Sequence, residues 1–301
     1  MPHINQNRSF EQRLTDFGPE LGPFLRTVWS SRDSINLNNY RRGRSDIYRM
    51  YAGNAQVKPF DFLQLTLFIN ELRAIGRGND STCQGMTPRK LADYDYIETF
   101  IQAEDLWRAF FHVVHKRGGP STMARAYVHA NDWSSGLKIM KLIIGQFATN
   151  KGLWEVKTAG PGQMRLDTIV AYFYDRNSRD TIVQLLKETA QKQRGWFADS
   201  LPPLVKREER GIGSADNPPK IEITGGKAKH SFGSFYATIC WLALKTVPNL
   251  QSPKAEPRHL LDNVLHILRL LKINPANPQQ FPAKGELEAW YRNSIQKVAN
   301  T

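Results

Sequence analysis

The sequence predicts an α+β fold: a mostly helical N-terminal part, a small, mainly antiparallel sheet with flanking helices, and a helical C-terminus. Three observations predict it. Apolar residues recur at helical spacing on both sides of the chain's middle, as at 59–75 and 257–272. Between Arg125 and Asp175 stand three short strand-like runs, with one helix between the first two. No internal repeat or low-complexity tract interrupts this order, and the predicted division is a helical subdomain at 1–119 and an α+β domain at 120–301.

The strands carry the pattern that matters. In RAYVHA, Arg125, Tyr127 and His129 share one face, while Ala126, Val128 and Ala130 share the other. LWEVK ends on Lys157 and is followed at once by TAGPG, a turn signal that exposes the strand tip. DTIVAYFY opens two residues after Arg165 and carries Tyr172 and Tyr174; periodicity alone does not fix which of its sides is buried.

Around these strands, 10–17 and 21–29 read as short helices broken by Gly18, Pro19, Gly22 and Pro23. Tyr48 and Tyr51 fall on one helical face in a packing role. The 59–75 segment ends at Gly76, a good C-cap position. A turn-rich loop follows to about residue 90, and 94–115 reads as one helix. His112 and His115, three apart near its end, suit a helix C-terminus better than a metal site, since no carboxylate or cysteine completes a ligand set nearby. The 178–193 stretch is an amphipathic helix. The 196–229 stretch, rich in Pro, Gly and charge, reads as a long connection of the kind that forms lids or binding loops. Helices at 232–247, 257–272 and 284–298 complete the chain.

At 301 residues and 34.4 kDa the chain buries a core without needing disulfide staples. Cys83 and Cys240 lack zinc or CxxC spacing and read as reduced thiols. No apolar run has signal-peptide or membrane-span length, so a soluble protein without a membrane partner is expected. A net charge of +13 and a pI near 9.8 favour anionic partners. The basic residues are spread along the chain and no nucleic-acid motif accompanies them, so nucleic acid is not the expected partner.

Arginine, histidine, lysine and tyrosine on strands that pair form a constellation suited to an anion, phosphate first. Arginine offers a planar fork to phosphate oxygens, and a desolvated lysine beside other cations can lose its proton and act as a base.

The block order, a strand with His129, a helix, W-x-V-K at 154–157, Arg165 and a T-I-V-x-Y strand at 168–172, resembles the bacterial phosphothreonine lyases. It is more similar still to the HopA-type family of type III effectors and to the related lyase subunits of class V lanthipeptide and thioamitide pathways. LPPL at 201–204, GIGSADNPP at 211–219 and HSFGSFYATICWLAL at 230–244 look like that family's later blocks. The resemblance spans 125–244 and implies a cofactor-independent carbon–oxygen lyase, with no metal, that eliminates phosphate from phosphoserine or phosphothreonine. The products would be dehydroalanine or dehydrobutyrine.

On that reading Lys157 takes the Cα proton, His129 protonates the leaving oxygen, and Tyr172 donates to the phosphate or orients Lys157. Arg125 and Arg165 bind phosphate and push Lys157 below its ordinary value. His230 and Arg210 close over the substrate. Tyr236 joins the substrate-binding set where many relatives carry an arginine, which removes a phosphate ligand. The resemblance implies a phosphorylated peptide substrate, a partner kinase and a bacterial cytoplasmic location. The alternatives are a non-catalytic phosphopeptide-binding module, or an effector secreted into a host cell that acts on its phosphoproteins.

Overall fold

The structure is a computed structural model that describes residues 18–53, 62–76, 94–103, 106–115, 124–146, 149–161, 165–218, 221–223, 226–228, 231–250, 252 and 255–281. Along them run α1 (Gly18–Ser30), α2 (Tyr40–Tyr51), α3 (Phe62–Gly76), β1 (Tyr94–Ala103), β2 (Leu106–His115), β3 (Ala124–Val128), α4 (Trp133–Gly145), β4 (Leu153–Ala159) and β5 (Ile169–Phe173). Then follow α5 (Arg176–Lys192), β6 (Lys206–Glu209), β7 (Ile212–Asp216), β8 (Ile221–Ile223), β9 (Gly226–Ala228), α6 (Phe232–Lys245) and α7 (Pro257–Leu270). The α+β class is the one predicted. The predicted helices at 10–17 and 284–298, the loop after Gly76, Cys83 and His230 lie outside the described residues.

The chain forms two compact units, Ala52–Asn217 and Met1–Tyr51 with Pro218–Thr301. The units divide at 51/52 and 217/218, so α1 and α2 belong with α6 and α7, while α3 falls in the Ala52–Asn217 unit.

The Ala52–Asn217 unit is built on a seven-stranded sheet in the order β1-β2-β4-β5-β3-β7-β6, antiparallel at every pairing. One face forms the core: Phe111, Val113, Ala126, Val128, Val156, Ile169, Ala171 and Phe173 pack with Ile139, Met140, Ile143 and Ile144 of α4 and with Ile182 and Leu186 of α5. Burying each of the larger of these apolar side chains contributes about 1.5–3 kcal/mol. Both helices start on an aspartate N-cap. Asp132 accepts from the Ser135 N–H at 2.8 Å and Asp175 from the Ser178 N–H at 2.7 Å, each satisfying a donor the helix leaves open.

A β-bulge in β4 fixes which of its residues face the core. Leu153 pairs with Phe173 and Glu155 with Tyr172, so Trp154 is the extra residue. Strict alternation would put Leu153 on the side of Glu155. The bulge returns it to the core, where it is fully buried.

Two expectations are corrected here. The 94–115 segment is a β1–β2 hairpin with Tyr94 opposite His115, not a helix, so the helical spacing that brought His112 and His115 together does not apply. The 196–229 stretch is not a structureless connection. It contains the β6–β7 hairpin, with β7 paired along the whole of β3.

In the other unit, α6 is buried on almost every side, as an all-apolar helix must be. The α2 helix crosses it closely at Gly43, where an added Cβ would stand 2.1 Å from the Asn36 carbonyl oxygen and 2.5 Å from Trp241 Nε1. Trp241 Nε1 donates to that same carbonyl at 3.1 Å, and the Tyr40 and Thr238 hydroxyls meet at 3.0 Å. Tyr48 and Tyr51 stack with ring centroids 6.0 Å apart, the packing role expected. The α1 helix runs through Pro23 instead of breaking there; the residue falls early enough to forgo a single intrahelical bond. Among the described residues no helix is long and apolar enough to cross a membrane.

Candidate functional site: a charged face on the central strands

The sheet's register decides which side chains meet. Lys157 of β4 is opposite Val170 of β5, which is opposite Tyr127 of β3. The neighbouring row aligns Glu155, Tyr172 and Arg125. Cross-strand partners share a face, so Lys157, Glu155, Tyr172, Arg125 and Tyr127 project from the side opposite the core. His129 lies two residues beyond Tyr127 in extended chain, with its N–H on the Gly211 carbonyl and its own carbonyl accepting from Ala198 N–H. It joins the same face, because its neighbours Val128 and Ala130 are in the core. From ideal spacings, two strands across and two residues along place the Cα atoms of His129 and Lys157 about 12 Å apart, a separation two side chains can close around a phosphoamino acid.

Arg125 is buried, and its guanidinium carbon lies 4.7 Å from the centroid of the Tyr172 ring, a cation–π contact. Trp154, the bulged residue, meets the same ring edge-on at 6.2 Å. Tyr172 is thus the aromatic floor on which Arg125 rests.

Arg165 is held by a residue the sequence reading did not single out. Its Nε and Nη2 donate to Asp167 Oδ1 and Oδ2 at 2.8 and 2.9 Å, a bidentate pair whose side chains are only 8% and 9% exposed. Its plane is fixed by Asp167.

The electrostatics of Lys157 follow from this. Burial is the main cause that lowers its pKa below the ordinary lysine value, and Arg165 and Arg125 push the same way, while Asp167 and Glu155 resist. The neighbouring arginines contribute as expected, but desolvation leads.

His129 Nδ1 lies 2.9 Å from the Ser200 carbonyl oxygen and 3.0 Å from Ser200 Oγ. A carbonyl oxygen only accepts, so Nδ1 carries a hydrogen and Nε2 is the nitrogen that keeps its lone pair in the neutral ring. The same geometry rules out Ser200 as a nucleophile activated by Nδ1. Burial lowers the pKa of the imidazole, against the Ser200 hydrogen bond and the Asp167 charge, which raise it. Lowered from 6.5, His129 favours its neutral form at neutral pH. The charged acid expected from sequence needs an arriving anion to form.

Arg210 does not reach the charged face by itself. Its Nε donates to the Phe197 carbonyl at 3.0 Å and pairs with Asp199 at 3.0 Å, while Arg207 Nη1 holds the Asp199 carbonyl at 2.8 Å. Both arginines staple the 197–199 segment that leads into Ser200. Tyr236 belongs to the other unit, fully buried, with its hydroxyl donating to the Pro278 carbonyl. It is a core residue, and burial pushes its phenol well above the ordinary tyrosine value. Cys240, on the same helix, is a buried free thiol whose pKa burial raises to about 12.

No family model and no curated protein matches the sequence. Two solved structures share the fold. An effector protein from Pseudomonas syringae pv. tomato strain DC3000 is 17% identical, with a TM-score of 0.51 over 80% of this chain and 90% of that one. An effector protein from Pseudomonas syringae pv. syringae strain 61 is 13% identical, with a TM-score of 0.55 over 91% of this chain and 99% of that one. At these identities the likeness is one of fold, and it agrees with the effector side of the resemblance read from the sequence.

Proposed function

We propose that the chain is an effector-type protein whose charged sheet face binds a phosphorylated serine or threonine side chain and eliminates its phosphate. The effector setting is favoured by the fold shared with two Pseudomonas effector proteins. The chemistry is supported by one observation above the others: His129 and Lys157 project from one face of the sheet, with Arg125 and Arg165 beside them.

In the proposed reaction the neutral Lys157 amine removes the Cα proton. The electron pair forms the Cα–Cβ double bond as the Cβ–Oγ bond breaks, and His129, protonated once phosphate has bound, gives its Nε2 proton to the leaving oxygen. The products are a dehydroamino acid and hydrogen phosphate, and no water is consumed. Arg125 and Arg165 offset the charge of the phosphate. A phosphorylated host protein or peptide is the substrate class; a partner kinase and peptide maturation rest on the resemblance of the sequence blocks to lyase subunits alone.

The test is mass spectrometry of a phosphothreonine peptide incubated with the protein in 18O-labelled water. Elimination gives a peptide lighter by phosphoric acid and unlabelled phosphate. A restored hydroxyl with labelled phosphate would make the protein a phosphatase. Retained, unaltered peptide would leave a binding module only.

A further inference from the structure

Asp167 is a carboxylate among groups arranged to receive an anion, where its charge opposes phosphate binding by simple repulsion. Its position is nevertheless well defined: nearly buried, it grips both Nε and Nη2 of Arg165. It stands at the entry to β5, where Thr168 ties the neighbouring strand by accepting from Ala130 N–H at 2.7 Å and donating to the Val128 carbonyl at 2.9 Å. Its field reaches both His129 and Lys157, whereas Glu155 acts on Lys157.

We infer that Asp167 is a positioning residue of the anion site, which orients the Arg165 guanidinium to receive phosphate and joins His129, Arg165 and Lys157 into one charge-balanced cluster. This rests on the reading of that face as a phosphate site. A guanidinium this deeply buried needs a counter-charge, and the Asp167 carboxylate supplies it. Among the described residues, the charged groups that act on Lys157 are Arg125 on β3, Glu155 on β4, and Arg165 and Asp167 before β5, and Asp167 acts on His129 as well.

Two models of Asp167 give opposite signs. If it acts only by charge, Asp167→Asn removes repulsion and tightens the binding of inorganic phosphate. If it orients Arg165, the same variant weakens phosphate binding by about tenfold, the scale of one well-made charge-assisted contact. Calorimetric titration of the full chain with inorganic phosphate reads the difference, alongside a thermal melt. Arg165→Gln should weaken binding comparably, and the R165Q/D167N double variant should be no weaker than R165Q, since the two residues act as one unit. In D167N the His129 imidazole should also titrate lower than in the wild type under either model, since the nearby negative charge is lost, so the phosphate titration and the double variant decide between them.

Unchanged or tighter phosphate binding in D167N with a wild-type melt overturns the inference, and so does full additivity in the double variant. If D167N does not fold, Asp167→Glu keeps the charge and displaces it by one methylene; phosphate binding equal to the wild type would then overturn it. Phosphate binding by the wild type without turnover of the phosphopeptide removes the lyase and leaves Asp167 in its role. Absence of phosphate binding by the wild type overturns both.

Discussion

His129 and Lys157 lie on the same face of the sheet, separated by β5, with Tyr127 and Val170 forming the row that joins them. Cross-strand neighbours on one face are the backbone arrangement that the proposed pairing of His129 as acid with Lys157 as base needs. Lys157→Ala should lower turnover of a phosphothreonine peptide by about 1000-fold, within the range of a lost general base. Lys157→Arg should be equally inactive, because a guanidinium stays protonated, yet phosphopeptide affinity should change by less than about threefold. Single-turnover mass spectrometry and a binding titration separate these effects; substantial turnover in either variant excludes Lys157 as the base.

The pH dependence follows from the direction of two shifts. Lys157 is lowered from 10.5, so the free amine becomes available at a midpoint below that value, and turnover should rise with pH until His129, the acid, loses its proton. His129 is lowered from 6.5. The unfolded imidazole takes up its proton first as pH falls below that value, so its contribution to stability is present above 6.5 and is lost towards the folded pKa. Saturating phosphate should raise the folded imidazole pKa by about one unit, because the dianion favours the cation. Long-range 1H–15N correlation of the His129 ring measures both, and a value unmoved by phosphate would separate the imidazole from the anion.

How much of this was legible in the sequence depends on how local each signal is. The alternation of RAYVHA gave the charged face directly, and register with β5 only had to extend it. The β1–β2 hairpin reads as a helix in the sequence because only Glu104 and Asp105 separate its strands, with no Gly or Pro to mark a turn. The β6–β7 hairpin hid for the opposite reason, since KREE lacks apolar residues and Gly211 and Gly213 suggest a loop; the sheet supplies the pairing that local propensity does not. Asp167 was visible two residues after Arg165, but that spacing reads as two exposed charges until burial forces them together. Nothing local in the sequence connects Ser200 to His129, 71 positions away.

The segment that holds His129 offers a separable test. The contact from the Ser200 carbonyl survives Ser200→Ala, whose effect on turnover should stay below about threefold. Arg210→Ala loosens the Phe197 and Asp199 anchors and should lower kcat by about tenfold with KM little changed, because His129 loses its orientation while the phosphate ligands remain. A larger loss in S200A than in R210A would make the hydroxyl, not the backbone, the functional partner.

Tyr236→Phe should cost about 1 kcal/mol of stability, the usual net worth of a buried hydrogen bond, with an added cost for the Pro278 carbonyl it leaves behind. Phosphate affinity should not change, since the ring is wholly buried. Denaturant unfolding and phosphate titration of the same sample check the two halves of this expectation.

Gly211 joins the fold to the candidate site through a backbone position that no side chain tolerates. It sits at φ +63° between β6 and β7, where a Cβ would stand 2.5 Å from the Ala198 carbonyl oxygen and 2.9 Å from the His129 carbonyl oxygen. The Gly211 carbonyl in turn accepts from His129 N–H at 2.8 Å. The left-handed conformation alone costs an L-residue about 1–2 kcal/mol, and the His129 carbonyl cannot retreat without straining the hydrogen bond it accepts from Ala198 N–H. Gly211→Ala should therefore lose about 2–4 kcal/mol of stability and also displace the imidazole, so turnover should fall even below the melting transition. Gly195, where an added Cβ meets nothing within 4 Å, provides the control: Gly195→Ala should change neither stability nor turnover. If G211A folded with wild-type stability and full activity, the close packing of the Ala198, His129 and Gly211 backbones would not be what positions His129.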